Sequence, residues 1–458
     1  MDASPVAFFH KKLSTFLMVR GCIMQRLWRN SPNAIFSRPR TLRWTCTFSS
    51  QYHVLSPLKH GSISGKRVEY QPEHKSRLYN FQRTRTFGTT AIPSILVPPL
   101  IFFGLLISLW TWKCFWIVIL QDKLLYLSWL PPLARSEKIA DYERECQPVQ
   151  WTEKRIQSLD RTKLAVCEGH IPLQRRDGRT TVAQRATVKR KSVVICYFQG
   201  NGGSTPLRLP LLSQVLRMID EKSKSHPSPT YSSDATEYTV VALSYRGYWT
   251  SSGRATQSGI ELDAQSFLNW VSETYASPDT DLEVILWGHS LGSAIASAAT
   301  ATYLSHHSGH QAVSSEIERA RPINIAGLVL EAPSSSIKDM LISLYPQKWL
   351  PYRYLWPFSW NHWSCTTAME RIASWRDQNE HHSKVSPPPI LLLSAENDEV
   401  IPPHVADGLE SDSQRLGLKL ERKTVPGALH TEAPVKLDGR EALVNFILKN
   451  TSPGRNAV

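Results

Sequence analysis

The stretch "LEVILWGHSLGSAIASAATATYL", residues 282–304, decides how this chain is read. Its first seven residues, apolar but for Glu283, form a run of strand length, and its last fourteen are small and alanine-rich, as in a buried helix. Between them lie Gly288, His289, Ser290, Leu291 and Gly292, so a glycine stands two places before the serine and another two places after it. A strand that turns straight into a helix brings two backbones together, and only residues without a Cβ tolerate that approach. The residue at the apex is forced into a strained turn that displays its side chain. Ser290 is therefore a candidate nucleophile. A plain loop serine is the alternative, and the strand before it and helix after it speak against that.

A serine hydroxyl is a weak nucleophile near neutral pH and needs a base, which in turn needs an acid to orient it. Where the serine sits on such an elbow, the partners follow along the chain in the order acid, then histidine. "ILLLSAENDEVIPP" supplies Asp398 just after an apolar run, with Glu396 and Glu399 as competitors. "LERKTVPGALHTEAP" supplies His430, between a strand-like run and the helix-like "REALVNFILKN". Chain order and spacing agree on Ser290, Asp398 and His430.

The surrounding pattern predicts the scaffold. "IQSLDRTKLAVCEG" reads as a hairpin turning at Asp160, Arg161 and Thr162. "SVVICYF", "EYTVVALSY", "INIAGLVLEAP" and "PPILLLSAEND" are further apolar strands, with helical segments between. In "SGIELDAQSFLNWVSETY" the spacing puts Leu262, Phe267, Leu268 and Val271 on one side. Strands apolar on both faces and separated by helices imply a mostly parallel, doubly wound α/β sheet.

A glycine-rich loop follows the first of these strands, in "VVICYFQGNGGS", 193–204. A dinucleotide fingerprint would need a third glycine where Thr205 stands, and a phosphate-binding P-loop would need a lysine that is missing. Both nucleotide readings fail. An oxyanion site is the reading that remains, given a nucleophile elsewhere.

The set "YFQGNGG", "SYRGYWTSSG", "WGHSLGSAIA", "ENDEVIPP" and "PGALHTEA" resembles the α/β-hydrolase fold, and within it the membrane-anchored α/β-hydrolase-domain lipases. That group includes monoacylglycerol and lysophosphatidylserine lipases and relatives that depalmitoylate proteins. The resemblance spans about 193–434 and is weaker from Leu120. It implies Ser290 as nucleophile, Asp398 as acid and His430 as base. It also implies that the backbone N–H groups of Asn201 and Leu291 face the developing oxyanion, with Gly200, Gly202, Gly288 and Gly292 as the loop and elbow glycines. Two departures stand out. Gln199 replaces the family's histidine, and Ser244 and Trp249 replace an aspartate and a glycine around Tyr-Arg-Gly.

Charge divides the chain. Residues 1–90 hold 15 Lys and Arg against 3 Asp and Glu, a net +12 of the chain's +14, so the remainder is close to neutral. A nucleic-acid groove would need its charge on the folded domain, so no nucleic-acid partner is expected. The basic, Ser-rich, acid-poor segment 1–90 reads either as a mitochondrial transit peptide, cleaved near Gly88, or as a retained arm. In "SILVPPLIFFGLLISLWTWKCFWIVIL", 94–120, only Lys113 is charged, which predicts a single transmembrane helix over 95–120. Trp110, Trp112, Trp116 and Lys113 would lie near an interface. Basic residues on the N-terminal flank put the domain on the side away from the cytosol or matrix, in the mitochondrial inner membrane or the endoplasmic reticulum.

The seven cysteines form no CxxC pair and the polar "HHSGH" at 306–310 reads as a solvated loop, so neither metal nor other cofactor is expected. A Cys146–Cys167 disulfide and unpaired cysteines both stay open. The hydrolase domain is expected over 121–458, with a cap insertion at 333–375. There "LYPQKWLPYRYLWPFSWNHW" holds eight aromatics, among them Trp349, Tyr352 and Trp356. Such a cap either binds an acyl chain, rests on a bilayer, or simply packs on the body. The expected activity is hydrolysis of a lipid acyl ester at a membrane. An acyl-protein thioesterase is the alternative on the same residues, and a catalytically silent membrane binding module is the alternative from another class. Protein partners stay open.

Overall fold

The computed structural model describes residues 93–172, 190–225, 236–306, 323–379 and 386–452. The basic segment 1–90, its expected cleavage point and most of the "HHSGH" stretch lie outside them; His306 closes a helix.

Among the described residues eight strands form one sheet: β1 (Gln150–Gln157), β2 (Lys163–His170), β3 (Arg190–Phe198), β4 (Thr236–Ser244), β5 (Thr280–His289), β6 (Asn324–Glu331), β7 (Ile390–Ala395) and β8 (Leu420–Val425). Their spatial order is β1-β2-β4-β3-β5-β6-β7-β8. β1 and β2 form the expected hairpin. Ser158 N–H donates to the Thr162 carbonyl at 2.9 Å, and Arg161 takes the left-handed turn conformation at φ +66°. β2 joins β4 antiparallel, and every pair from β4 to β8 is parallel.

The central strands are apolar over most of their length because both faces are covered. In β3, Val194, Cys196 and Phe198 enter one core, while Ile195 and Tyr197 enter the other. The first core is closed by α4 (Gln257–Tyr275), α5 (Leu291–His306), α7 (Cys365–Asn379) and α8 (Pro403–Arg415). The second is closed by α3 (Leu209–Ser225) and α9 (Leu437–Asn450). On α4 the buried face differs from the expected one. Phe267, Leu268 and Val271 are buried, but Leu262 is only half-buried and Ile260, Asp263 and Ala264 take its place. Asp263 is drawn inward by charge. It accepts from the Arg246 guanidinium at 2.7 Å and the Arg246 N–H at 2.9 Å, while Asp160 of the hairpin turn binds the same guanidinium at 2.7 Å.

Between β6 and β7 the chain makes an excursion that pinches off where Ser336 pairs with Ser364. It contains α6 (Ile337–Leu344) and two short turns, Pro351–Tyr354 and Trp356–Phe358. Within the 333–375 span, the residues from Cys365 onward belong to α7 and pack into the body through Met369 and Ile372.

Ahead of the sheet, α1 (Val97–Ile119) is the single helix among the described residues long and apolar enough to cross a membrane. At 23 residues it is roughly 34 Å long, near a bilayer's hydrocarbon thickness. None of its residues is buried. Its second half meets the excursion, with Trp110 and Trp349 ring centroids 6.0 Å apart and Lys113 Nζ 4.6 Å over the Tyr352 ring. α2 (Gln121–Tyr126) follows at once.

Candidate active site

The three residues singled out by chain order come together beyond the carboxyl ends of the parallel strands. Ser290 occupies the one-residue junction between β5 and α5, at φ +53°. The two flanking glycines are required there by contact. A Cβ on Gly288 would lie 2.2 Å from the Gly292 carbonyl oxygen, and one on Gly292 would lie 2.1 Å from that of Phe198. The Ser290 N–H donates to the Glu331 carbonyl at 2.8 Å, so β6 pins the elbow from beside it.

His430 Nε2 is 3.0 Å from Ser290 Oγ. Its Nδ1 is 2.9 Å from Asp398 Oδ2 and 3.0 Å from Oδ1. Asp398 is itself held by the loop after β7, where Oδ1 accepts the N–H groups of Val400 at 2.9 Å and Ile401 at 2.7 Å. The two competing acids do other work. Glu399 accepts the His430 backbone N–H at 3.0 Å, and Glu396 accepts that of Gly427 at 2.7 Å. Both tie down the loop that carries the histidine.

The glycine loop after β3 faces the elbow. Gly200 packs on His289, where a Cβ would lie 2.8 Å from Nδ1. Asn201 is exposed, and Gly202 and Gly203 adopt left-handed conformations at φ +66° and +75°. Leu291 opens α5, and first-turn amides have no acceptor within their own helix. Gln199 points inward, accepting from the Thr205 hydroxyl at 3.0 Å. Its carbonyl accepts from Tyr245, so it shapes the loop from behind. Ser244 and Trp249 are both buried; the Trp249 indole N–H donates to the Glu137 carbonyl at 2.7 Å.

The aromatic residues of the excursion pack on one another, on α1 and on nearby lysines. Trp349 lies against α1, Tyr352 is buried between Lys113 and Tyr345, and Trp356 lies under Lys338. Trp349, Tyr354, Trp356, Phe358 and Trp360 are all exposed. Among the described residues no group of three or more metal-ligating side chains occurs, and Cys146 and Cys167 are unpaired.

Residues 226–436 match the family described as "Alpha/beta hydrolase family". The domain has the α/β-hydrolase fold. The chain is 28% identical over 211 residues to "Protein bem46" of Schizosaccharomyces pombe, covering 46% of this chain and 52% of that protein. It is 30% identical over 172 residues to "Lysophosphatidylserine lipase ABHD12" of Xenopus tropicalis, covering 38% of each. The chain thus spans about half or less of the curated relatives it matches. Among solved structures it is similar to an alpha-beta hydrolase from Vibrio vulnificus at a TM-score of 0.45 and 14% identity, covering 69% of this chain and 89% of that one.

Behind the elbow lies a polar group that sequence reading missed. Glu331 ends β6 fully buried, with Oε2 accepting from the Trp287 indole N–H at 2.9 Å and Oε1 3.8 Å from His289 Nε2. Arg208 closes the far side, its guanidinium 2.9 Å from His289 Nδ1. A lone acid ending the apolar run of "NIAGLVLE" was the available signal. Burial pushes the Glu331 carboxyl up to about 7, opposed by Arg208, the Trp287 bond and His430. Burial, with Arg208 and His430, holds the His289 imidazole well below its usual range, so it is neutral.

The sign of the consequence is fixed by linkage. Below the ordinary Glu value of 4.5, Glu331 is protonated both folded and unfolded. As pH rises, the unfolded chain loses this proton first, so stability falls until about pH 7 and then levels. Glu331→Gln keeps an acceptor for Trp287 and cannot titrate. Between pH 4.5 and 8 the variant should therefore gain on the order of 3 kcal/mol relative to wild type. Denaturant unfolding at the two pH values reads this directly. A constant difference would mean that Glu331 does not titrate in that window.

Proposed function

We propose that this chain is a membrane-anchored serine hydrolase that cleaves acyl esters of lipids, of the monoacylglycerol or lysophospholipid type. The observation that carries the reading is the pair of contacts through one imidazole, Ser290 Oγ to His430 Nε2 and His430 Nδ1 to Asp398, both at 2.9–3.0 Å. Ser290 attacks the acyl carbonyl while His430 accepts the hydroxyl proton. Asp398 holds the imidazole in the tautomer that accepts at Nε2 and steadies the imidazolium that results. The oxyanion meets the backbone N–H groups of Asn201 and Leu291, in a site whose donors are fixed before charge develops. His430 then delivers its proton to the leaving alcohol, and water drawn through the same base releases the acyl group.

A lipid substrate is supported by the similarity to a lysophosphatidylserine lipase and by an apolar helix joined to an aromatic excursion. In this reading residues 1–90 are a basic arm or targeting segment, 95–120 cross the membrane, and 121–458 form the hydrolase domain with its cap inside 333–375. The basic flank at Arg77, Arg83 and Arg85 puts the domain across the membrane from the cytosol or the matrix, in the endoplasmic reticulum or the mitochondrial inner membrane. A protein depalmitoylase would use the same residues on a thioester.

Fluorophosphonate labelling of the full chain in detergent, competed with lysophospholipids, monoacylglycerols and acyl thioesters, tests the assignment. Label should fall on Ser290, and lipid esters should be preferred at least tenfold, about 1.4 kcal/mol in the barrier. A tenfold preference for thioesters would favour the depalmitoylase, and label elsewhere would overturn the nucleophile. Within the same assay, Trp349→Ala and Trp356→Ala should slow long-chain lipid esters severalfold and leave a short soluble ester within twofold, because an acyl chain gains roughly 0.8 kcal/mol per buried methylene. Equal loss on both substrates would mean these residues only pack the excursion.

A further inference from the structure

The loop carrying Asn201 is not held by the sheet alone. Gly202 and Gly203 have no side chains to anchor them and sit in left-handed conformations, so the loop's geometry must be imposed from outside. It is imposed by the segment that follows the apolar helix. The Tyr126 carbonyl accepts the Gly202 N–H at 2.8 Å, and the Leu130 carbonyl accepts the Gly203 N–H at 2.6 Å. These bonds fix the peptide planes immediately after Asn201.

Tyr126 is 1% exposed, and its carbonyl and hydroxyl are both committed. Besides Gly202, its carbonyl accepts from the Tyr248 hydroxyl at 2.5 Å. Its own hydroxyl donates to Asn361 Oδ1 at 2.6 Å and accepts from the Trp363 indole N–H at 2.9 Å. Asn361 is equally buried, and its Nδ2 donates to Asp122 Oδ1 at 2.7 Å. Gln121 completes the join, its Oε1 accepting the Trp360 N–H at 3.0 Å. One buried tyrosine at the end of α2 therefore touches the glycine loop by its main chain and the neck of the excursion by its side chain.

We propose that Tyr126 is a positioning residue, through which the segment next to the apolar helix sets the Asn201 N–H for the oxyanion. The active site would then be completed by residues 121–130 and not by the α/β body alone. The proposal rests on Ser290 being the nucleophile and Asn201 an oxyanion donor. A displaced donor weakens a contact made only in the transition state, so kcat falls while KM stays.

The test uses the full chain in detergent with a short soluble ester, which keeps acyl-chain and bilayer effects out. Tyr126→Phe retains the ring and main chain but loses both hydroxyl bonds, and should lower kcat roughly fivefold. Tyr126→Ala frees the carbonyl as well and should approach the loss of a whole donor, roughly 10²-fold. In both, KM should stay within twofold and the pH profile of kcat should keep its wild-type midpoints, since His430 and Asp398 are untouched. If Tyr126→Ala does not fold, Asn361→Ala takes its place. It removes the hydroxyl's acceptor with Tyr126 intact, and kcat should again fall severalfold. Lower melting temperatures with wild-type kcat in the folded variants would overturn the proposal and leave Tyr126 a packing residue. Ser290→Ala runs alongside as the blank. If it were active, the nucleophile reading itself would fall, and the proposal with it.

Discussion

Ser290→Ala is expected to abolish ester hydrolysis, with kcat falling on the order of 10⁶-fold, and His430→Ala to do nearly the same. In the proposed mechanism the two act in one proton transfer across the 3.0 Å from Oγ to Nε2, so removing either removes the step. For that reason the double variant should be scarcely worse than either single one, a non-additivity that two independent defects would not produce. Neither change should unfold the domain. The Ser290 N–H bond to the Glu331 carbonyl belongs to the main chain and survives in Ala, and alanine meets the same backbone strain at φ +53° that serine already bears. Turnover, fluorophosphonate labelling and a melting curve on the same preparations are sufficient. Wild-type labelling of Ser290→Ala would remove Ser290 from the mechanism.

Much of this was legible because the constraints are local. The β5–α5 junction must have glycine at 288 and 292, since the atoms a Cβ would strike are backbone atoms within a few residues or on the next strand. The apolar runs of β3 to β7 likewise announce burial on both faces. What stayed hidden depends on contacts between distant segments. The order of strands in space, with β4 between β2 and β3, leaves no local trace. Leu262 looked like a core position by spacing, but the Arg246 guanidinium inside the domain draws Asp263 inward instead. Tyr126 is an ordinary tyrosine in a short helix until Gly202 and Asn361, 76 and 235 residues away, are brought to it.

The choice of acid is where sequence left three candidates and geometry gives them different tasks. Asp398→Asn should cost roughly 10⁴-fold in kcat. An asparagine can keep its oxygen on the Val400 and Ile401 amides, but its NH₂ then faces His430 Nδ1. Nδ1 must become an acceptor, the ring proton moves to Nε2, and the nitrogen facing Ser290 Oγ can no longer take a proton. Glu399→Gln and Glu396→Gln are a different case. Each glutamine still offers a carbonyl oxygen to the N–H it now serves, that of His430 at 3.0 Å or Gly427 at 2.7 Å. Activity should stay within a few-fold of wild type, because the histidine loop is still tied and the tautomer is unaffected. Glu399→Ala drops the tie and should fall between, about tenfold, as the cost of one lost hydrogen bond or slightly more. Steady-state kinetics on a short ester across the four variants discriminates cleanly. A 10⁴-fold loss in Glu399→Gln with a mild Asp398→Asn would move the acid one residue along, and the orientation of His430 would have to be rebuilt around it.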